Sequence, residues 1–116
     1  MKLTDKQFEI MDVLWNSTAP MTVNDIINMS KNRSWSENSV YIMMKQLEEK
    51  GAVAVSHLEP TGTIHARAYK PELSFEEFMA SVMASKSKAR KTGAPLDVDK
   101  VIEAIRKVFD EMDNGM

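Results

Sequence analysis

Residues 34–51 read SWSENSVYIMMKQLEEKG, a helix with both of its ends written into the sequence. Ser36 is a suitable N-cap, and Glu37 places negative charge in the first turn. Gly51 follows Lys50 at the position where helices commonly close with a left-handed residue. Immediately afterwards come AVAVSHL and TIHARAY, two alternating runs separated by EPTG, in which Pro60 and Gly62 supply turn chemistry. These predict a β-hairpin of two short strands, anchored by Val53, Val55, Ile64 and Tyr69. A helix that runs straight into a hairpin narrows the choice of folds sharply, and the preceding chain narrows it further.

Two more helices come before it. In LTDKQFEIMDVLW, Thr4 and Gln7 form a capping-box pattern, and Phe8, Met11, Leu14 and Trp15 recur at helical spacing, with Ile10 and Val13 widening the apolar face. In MTVNDIINMSK, Thr22 precedes Asp25 by three residues, and Val23, Ile26 and Ile27 form the inner face. Three helices and a hairpin in about 70 residues make a winged helix, a variant of the helix-turn-helix. The expected fold is therefore mainly α, with a winged-helix DNA-binding domain over residues 1–71.

The rest of the chain, 72–116, reads as two amphipathic helices. Phe75, Phe78, Met79, Val82 and Met83 make one stripe, capped at its start by Ser74. Val98, Val101, Ile102, Ile105, Val108, Phe109 and Met112 make the other. Neither stripe has a place in a winged-helix core, and unused apolar surface is readily buried against a second copy. A homodimer interface is expected at Phe75, Phe78, Met79, Val82, Ile102, Ile105 and Phe109.

At about 100° per residue the third helix can be drawn from sequence. Val40, Met43, Met44 and Leu47 fall on one side, toward the core. Asn38, Ile42, Lys45 and Glu49 fall opposite, flanked by Tyr41 and Gln46, with Ser39 near the border. In a helix-turn-helix this outer face enters the major groove. Asn38 and Gln46 have the donor–acceptor pair that matches adenine, Lys45 can reach guanine or phosphate, and Ile42 can cover a thymine methyl. Thr22, Ser36, Lys31, Arg33 and Arg67 are candidate phosphate contacts, whereas the wing tip EPTG carries no positive charge.

Composition limits this reading without excluding it. The chain of 116 residues has net charge −2, and residues 1–71 hold eight basic and eight acidic side chains. Any attraction to DNA must therefore come from local charge placement. A winged helix used for protein contact is the rival reading, favoured by this neutrality and by Glu59 at the wing tip. The chain has no cysteine, which removes disulfides and thiolate metal sites and fits a cytoplasmic protein. His57 and His65 flank the hairpin turn and could face each other, but no third ligand beyond Glu59 lies near. With no phosphate loop, thiol nucleophile or acid–base constellation, neither an enzyme nor a cofactor is expected. Lys2, Asp5, Lys6, Glu9 and Asp12 interrupt any leader-like run, and no apolar stretch is long enough for a membrane span.

Taken together, LTDKQFEIMDVLW, PMTVNDI, WSENSVYIMMKQLEEKGAV and the hairpin exit AYKP resemble the penicillinase-repressor family over residues 3–71. The resemblance implies a bacterial winged-helix repressor that binds an inverted repeat of double-stranded DNA as a homodimer held by its C-terminal helices. It also implies control of resistance or metal-homeostasis genes. The chain departs from the family pattern at several places. It has Ile42 where Thr is frequent and Gln46 where Arg is frequent. It lacks the cysteine cluster of copper-responsive members. No phenylalanine follows an asparagine, so the bond cleaved in β-lactam-responsive members is missing, and a sensor protease is not specified. The stretch around SKARKTGAP is about one helix shorter than the family pattern.

Overall fold

The computed structural model describes residues 1–30 and 32–114. The elements are α1 (Asp5–Trp15), α2 (Val23–Met29), α3 (Glu37–Glu49), β1 (Val53–Thr61), β2 (Ile64–Pro71), α4 (Phe75–Ala89) and α5 (Val98–Asn114). The chain falls into two compact units, Met1–Val82 and Met83–Met116, so the first turns of α4 belong to the first unit.

Local chemistry sets the helix boundaries. Thr4 accepts from Gln7 N while Gln7 accepts from Thr4 N, and Thr22 and Asp25 repeat the arrangement at α2, so two capping boxes start the first two helices. Ser74 and Glu77 do the same for α4. Ser36 is the N-cap of α3, but its side chain makes no capping bond. The end of α3 is a Schellman motif: Gly51 has φ 78°, Gly51 N donates to Glu48 O at 3.0 Å and Ala52 N donates to Leu47 O at 2.9 Å. A side chain at Gly51 would meet the cost of the left-handed region, which glycine avoids.

The first unit has one core. Ile10, Met11 and Leu14 from α1, Ile26 from α2, Val40, Met44 and Leu47 from α3 and Val53 from β1 are almost fully buried. Met21, Trp35, Ala52 and Tyr69 complete the same cluster. Each large apolar side chain contributes roughly 1.5–3 kcal/mol by leaving water. Phe8 and Trp15 lie outside this cluster's centre and join Phe75 and Phe78 in an aromatic group, with centroids 5.3–6.3 Å apart. Trp15 Nε1 also donates to Leu73 O at 2.9 Å, tying the end of α1 to the chain leaving the wing.

The hairpin is longer than expected. β1 and β2 pair antiparallel from Val53↔Pro71 to Thr61↔Ile64, with a bulge between Val55 and His57. Gly62, at φ 70°, begins the two-residue turn. Met21 adds an antiparallel bridge to Tyr69, which fastens the entry of α2 to the base of the wing. Alternation predicts Ile64 as an anchor of the hairpin, yet it is 71% exposed. Past the bulge the strands extend beyond the core, so Ile64 has nothing to pack on. His57 pairs with Ala68 and His65 with Pro60, so the two histidines are not cross-strand partners. No group of three metal-ligating side chains occurs among the described residues.

In the second unit, Asp97 Oδ1 accepts from Lys100 N at the start of α5. α5 has no buried residue. Val98, Ile102, Ile105, Val108, Phe109 and Met112 are all exposed along one face. No helix among the described residues is long and apolar enough to cross a membrane.

Candidate nucleic-acid interface

The orientation of α3 follows from what it buries. Val40, Met43, Met44 and Leu47 are in the core, so the opposite side is turned outward. Asn38, Tyr41, Ile42, Lys45 and Gln46 are exposed, and Ser39 is half-buried. Ile42 is 63% exposed, and no neighbouring loop covers it. An isoleucine there gains nothing from water but suits an apolar contact such as a thymine methyl. Tyr41, also largely exposed, lies beside it.

A cleft of about 460 Å³ runs beside this face. Tyr41 forms one wall, Asn24 at the start of α2 another, and Thr61, Ile64 and Arg67 of the wing the third. Helix and wing thus make a concave surface rather than two separate projections. Arg67 is exposed and approaches Glu48 Oε1 only at 3.9 Å, a pairing that solvent screens and that leaves its guanidinium available. Lys45 has no ion-pair partner among the described residues.

Other expected contacts sit differently. Thr22 is 5% exposed and its Oγ1 accepts from Asp25 N, so its hydroxyl caps α2 at the edge of the cleft. Arg33 donates to Ile27 O and to Glu37 Oε1, each at 3.1 Å, and lies over the Trp35 ring at 5.0 Å. It braces the loop between α2 and α3, and its charge is partly answered by Glu37. Lys31 lies outside the described residues. Ser36, freed from capping, exposes its hydroxyl beside the first turn of α3. Ser39 donates its hydroxyl back to Ser36 O at 2.8 Å.

Two placements are not foreseen by the sequence reading. Gln7, which reads from sequence only as a capping residue, is 4% exposed and forms a hub. Its Oε1 accepts from Thr4 N and Lys50 Nζ, and its Nε2 donates to Gln46 Oε1 at 3.0 Å. Gln46 therefore has its oxygen engaged by α1, which leaves its Nε2 as the end of the amide without a partner among the described residues. Phe78 is the second. It is 7% exposed, packed on Phe8 and Trp15 of its own chain, and so has little surface left for a partner. The signal available for that cluster was the pair of aromatic residues Phe8 and Trp15, set apart from the deepest part of the α1 stripe.

The helix α3 set beside a hairpin defines a winged-helix protein. Residues 3–107 match the penicillinase repressor family, and the chain belongs to that family. It is a DNA-binding transcriptional repressor by class, and the family is not a class of enzymes. No individual curated protein matches it in sequence. Among solved structures, the Vibrio cholerae ferric uptake regulator is similar at a TM-score of 0.50 and 13% identity, covering 83% of this chain and 88% of that one. The Helicobacter pylori ferric uptake regulator reaches a TM-score of 0.47 at 17% identity, covering 83% of this chain and 76% of that one. At these identities the likeness to the Vibrio protein concerns the fold alone.

Proposed function

We propose that the chain represses transcription as a homodimer whose α3 helices read the two halves of an inverted-repeat operator. The observation that carries this is the outward strip of α3, where Asn38, Ile42 and Lys45 lie exposed over a fully buried inner face. Asn38 bonds an adenine edge, Lys45 a guanine or a phosphate, and Ile42 meets a thymine methyl. Tyr41, Ser39 and Gln46 flank the strip. Ser36 and Arg67 contact phosphate from either side, and Arg33 does so only by giving up Glu37. Residues 1–71 serve DNA binding and 72–116 serve dimerisation, with Phe75, Met79 and Val82 of α4 and Ile102, Ile105 and Phe109 of α5 as the interface. The exposed apolar face of α5 supports this role, because such a face gains stability when another surface covers it.

Selection of bound sequences from random duplex DNA tests the reading. The expected product is a symmetric pair of half-sites separated by about one helical turn. Asn38→Ala is expected to relax preference at one position per half-site, by roughly 1–3 kcal/mol.

A second reading is a winged helix used for protein contact, favoured by the neutral charge of residues 1–71 and by Glu59 at the wing tip. Salt separates the two. A DNA complex weakens steeply as salt is added, whereas duplex binding that ignores salt, or no binding, favours protein contact.

A further inference from the structure

A carboxamide can usually be turned over without changing its shape, so which end is oxygen is ambiguous. The neighbours of Gln7 remove that ambiguity. One end of its amide faces the backbone N–H of Thr4 at 3.1 Å and the ammonium of Lys50 at 2.5 Å. Both groups can only donate, so that end is oxygen. Lys50 is held in place by a second bond, to Lys2 O at 2.9 Å. The other end of Gln7 is therefore nitrogen, and it donates to Gln46 at 3.0 Å. The atom of Gln46 that receives this bond must in turn be Oε1. Gln46 is an exposed residue on the flank of α3, and its Nε2 has no hydrogen-bond partner among the described residues.

We propose that Gln7 is a positioning residue that orients Gln46 as a hydrogen-bond donor to DNA. The proposal rests on the reading of α3 as the DNA-facing helix. A glutamine reads adenine by offering acceptor and donor side by side. Gln46 has its oxygen engaged by α1, and the end of its amide left without a partner is Nε2, with its two N–H groups. It therefore addresses a hydrogen-bond acceptor: guanine O6 or N7, thymine O4, or a phosphate oxygen. The choice is made outside the interface, by a buried residue on α1 that touches no DNA, and behind it by Lys2, Thr4 and Lys50.

Gln7→Glu tests this while keeping the shape of the hub. The introduced carboxylate still accepts from Thr4 and Lys50 but has no proton for Gln46. The Gln46 amide must then turn over, donate to that carboxylate and present its oxygen outward. Affinity for a duplex selected with the wild-type protein is expected to fall about fivefold, the worth of one hydrogen bond. If the acceptor is a base, selection with the variant shifts preference at one half-site position. If the acceptor is a phosphate, affinity falls equally on all sequences. Gln46→Glu, which leaves Gln7 satisfied, is expected to weaken binding at least as much. A DNA-free readout accompanies these: side-chain amide exchange by NMR should be slow for Gln7 and fast for Gln46. Wild-type affinity and preference in Gln7→Glu, or the reverse exchange order, overturns the proposal. Wild-type protein that bound no duplex, with the expected exchange order, would leave the pairing in place but refute its role toward DNA.

Discussion

α3 and α5 are both amphipathic helices, yet one has its apolar face wholly in a core and the other has no buried residue at all. The contrast lies in what surrounds them. α3 arrives between α1, α2 and a hairpin, each with an apolar side of its own, and its register is fixed by a Schellman motif that feeds directly into β1. α5 follows the segment 90–97 and carries Val98, Ile102, Ile105, Val108, Phe109 and Met112 in the open. A buried stripe explains stability within the chain. An exposed stripe of the same kind gains stability only when another surface covers it, which is the basis of the proposed dimer. The same logic applies at the scale of one residue, since Ile42 on α3 is as exposed as Phe109 on α5. Both are apolar groups placed where water is a poor partner.

The contrast can be broken most forcefully in the core. Leu47→Ala is expected to destabilise the protein by about 2–5 kcal/mol in denaturant unfolding followed by tryptophan fluorescence, because Leu47 is completely buried. Ile105→Asp removes comparable apolar surface from α5 but is expected to leave that unfolding transition in place at low protein concentration. Its effect should instead be on self-association, weakened by roughly 2 kcal/mol or more in sedimentation. An Ile105 variant that unfolded as readily as the Leu47 one, while still dimeric, would erase the distinction between the two helices. A smaller change tests what sets the start of α1. Thr4→Ala loses a capping box and should cost about 1 kcal/mol of stability. Smaller still, Arg67→Ala should leave stability unchanged and lower DNA affinity evenly across sequences, with the salt dependence reduced by about one phosphate contact.

The parts of the molecule that obey short-range rules are legible in the sequence. Thr4–Gln7 and Thr22–Asp25 are three residues apart, so their capping boxes can be read directly, and so can Gly51. The inner and outer faces of α3 follow from helical periodicity alone. What cannot be read depends on distance in the chain. The Gln7–Gln46 bond spans 39 residues, and Trp15 finds Leu73 across 58. Nothing local in LTDKQFEI distinguishes a glutamine that only caps from one that also reaches α3. Alternation in TIHARAY likewise marks Ile64 as inward, but where a hairpin outruns its core is a property of the packed fold. The Met21–Tyr69 bridge, which fastens the start of α2 to the wing 48 residues on, is likewise set by the packed fold.

The outer strip of α3 stands or falls as the DNA reader on one quantity, the affinity of Asn38→Ala/Lys45→Ala for a duplex selected with the wild-type protein. Both side chains are exposed, so the double variant is expected to fold and unfold as the wild type does. Its affinity should fall by about ten- to a hundredfold or more, with preference lost at the positions these residues contact. A folded double variant that bound the same duplex with unchanged affinity and unchanged preference would contradict the account, because α3 would then not be the reading helix.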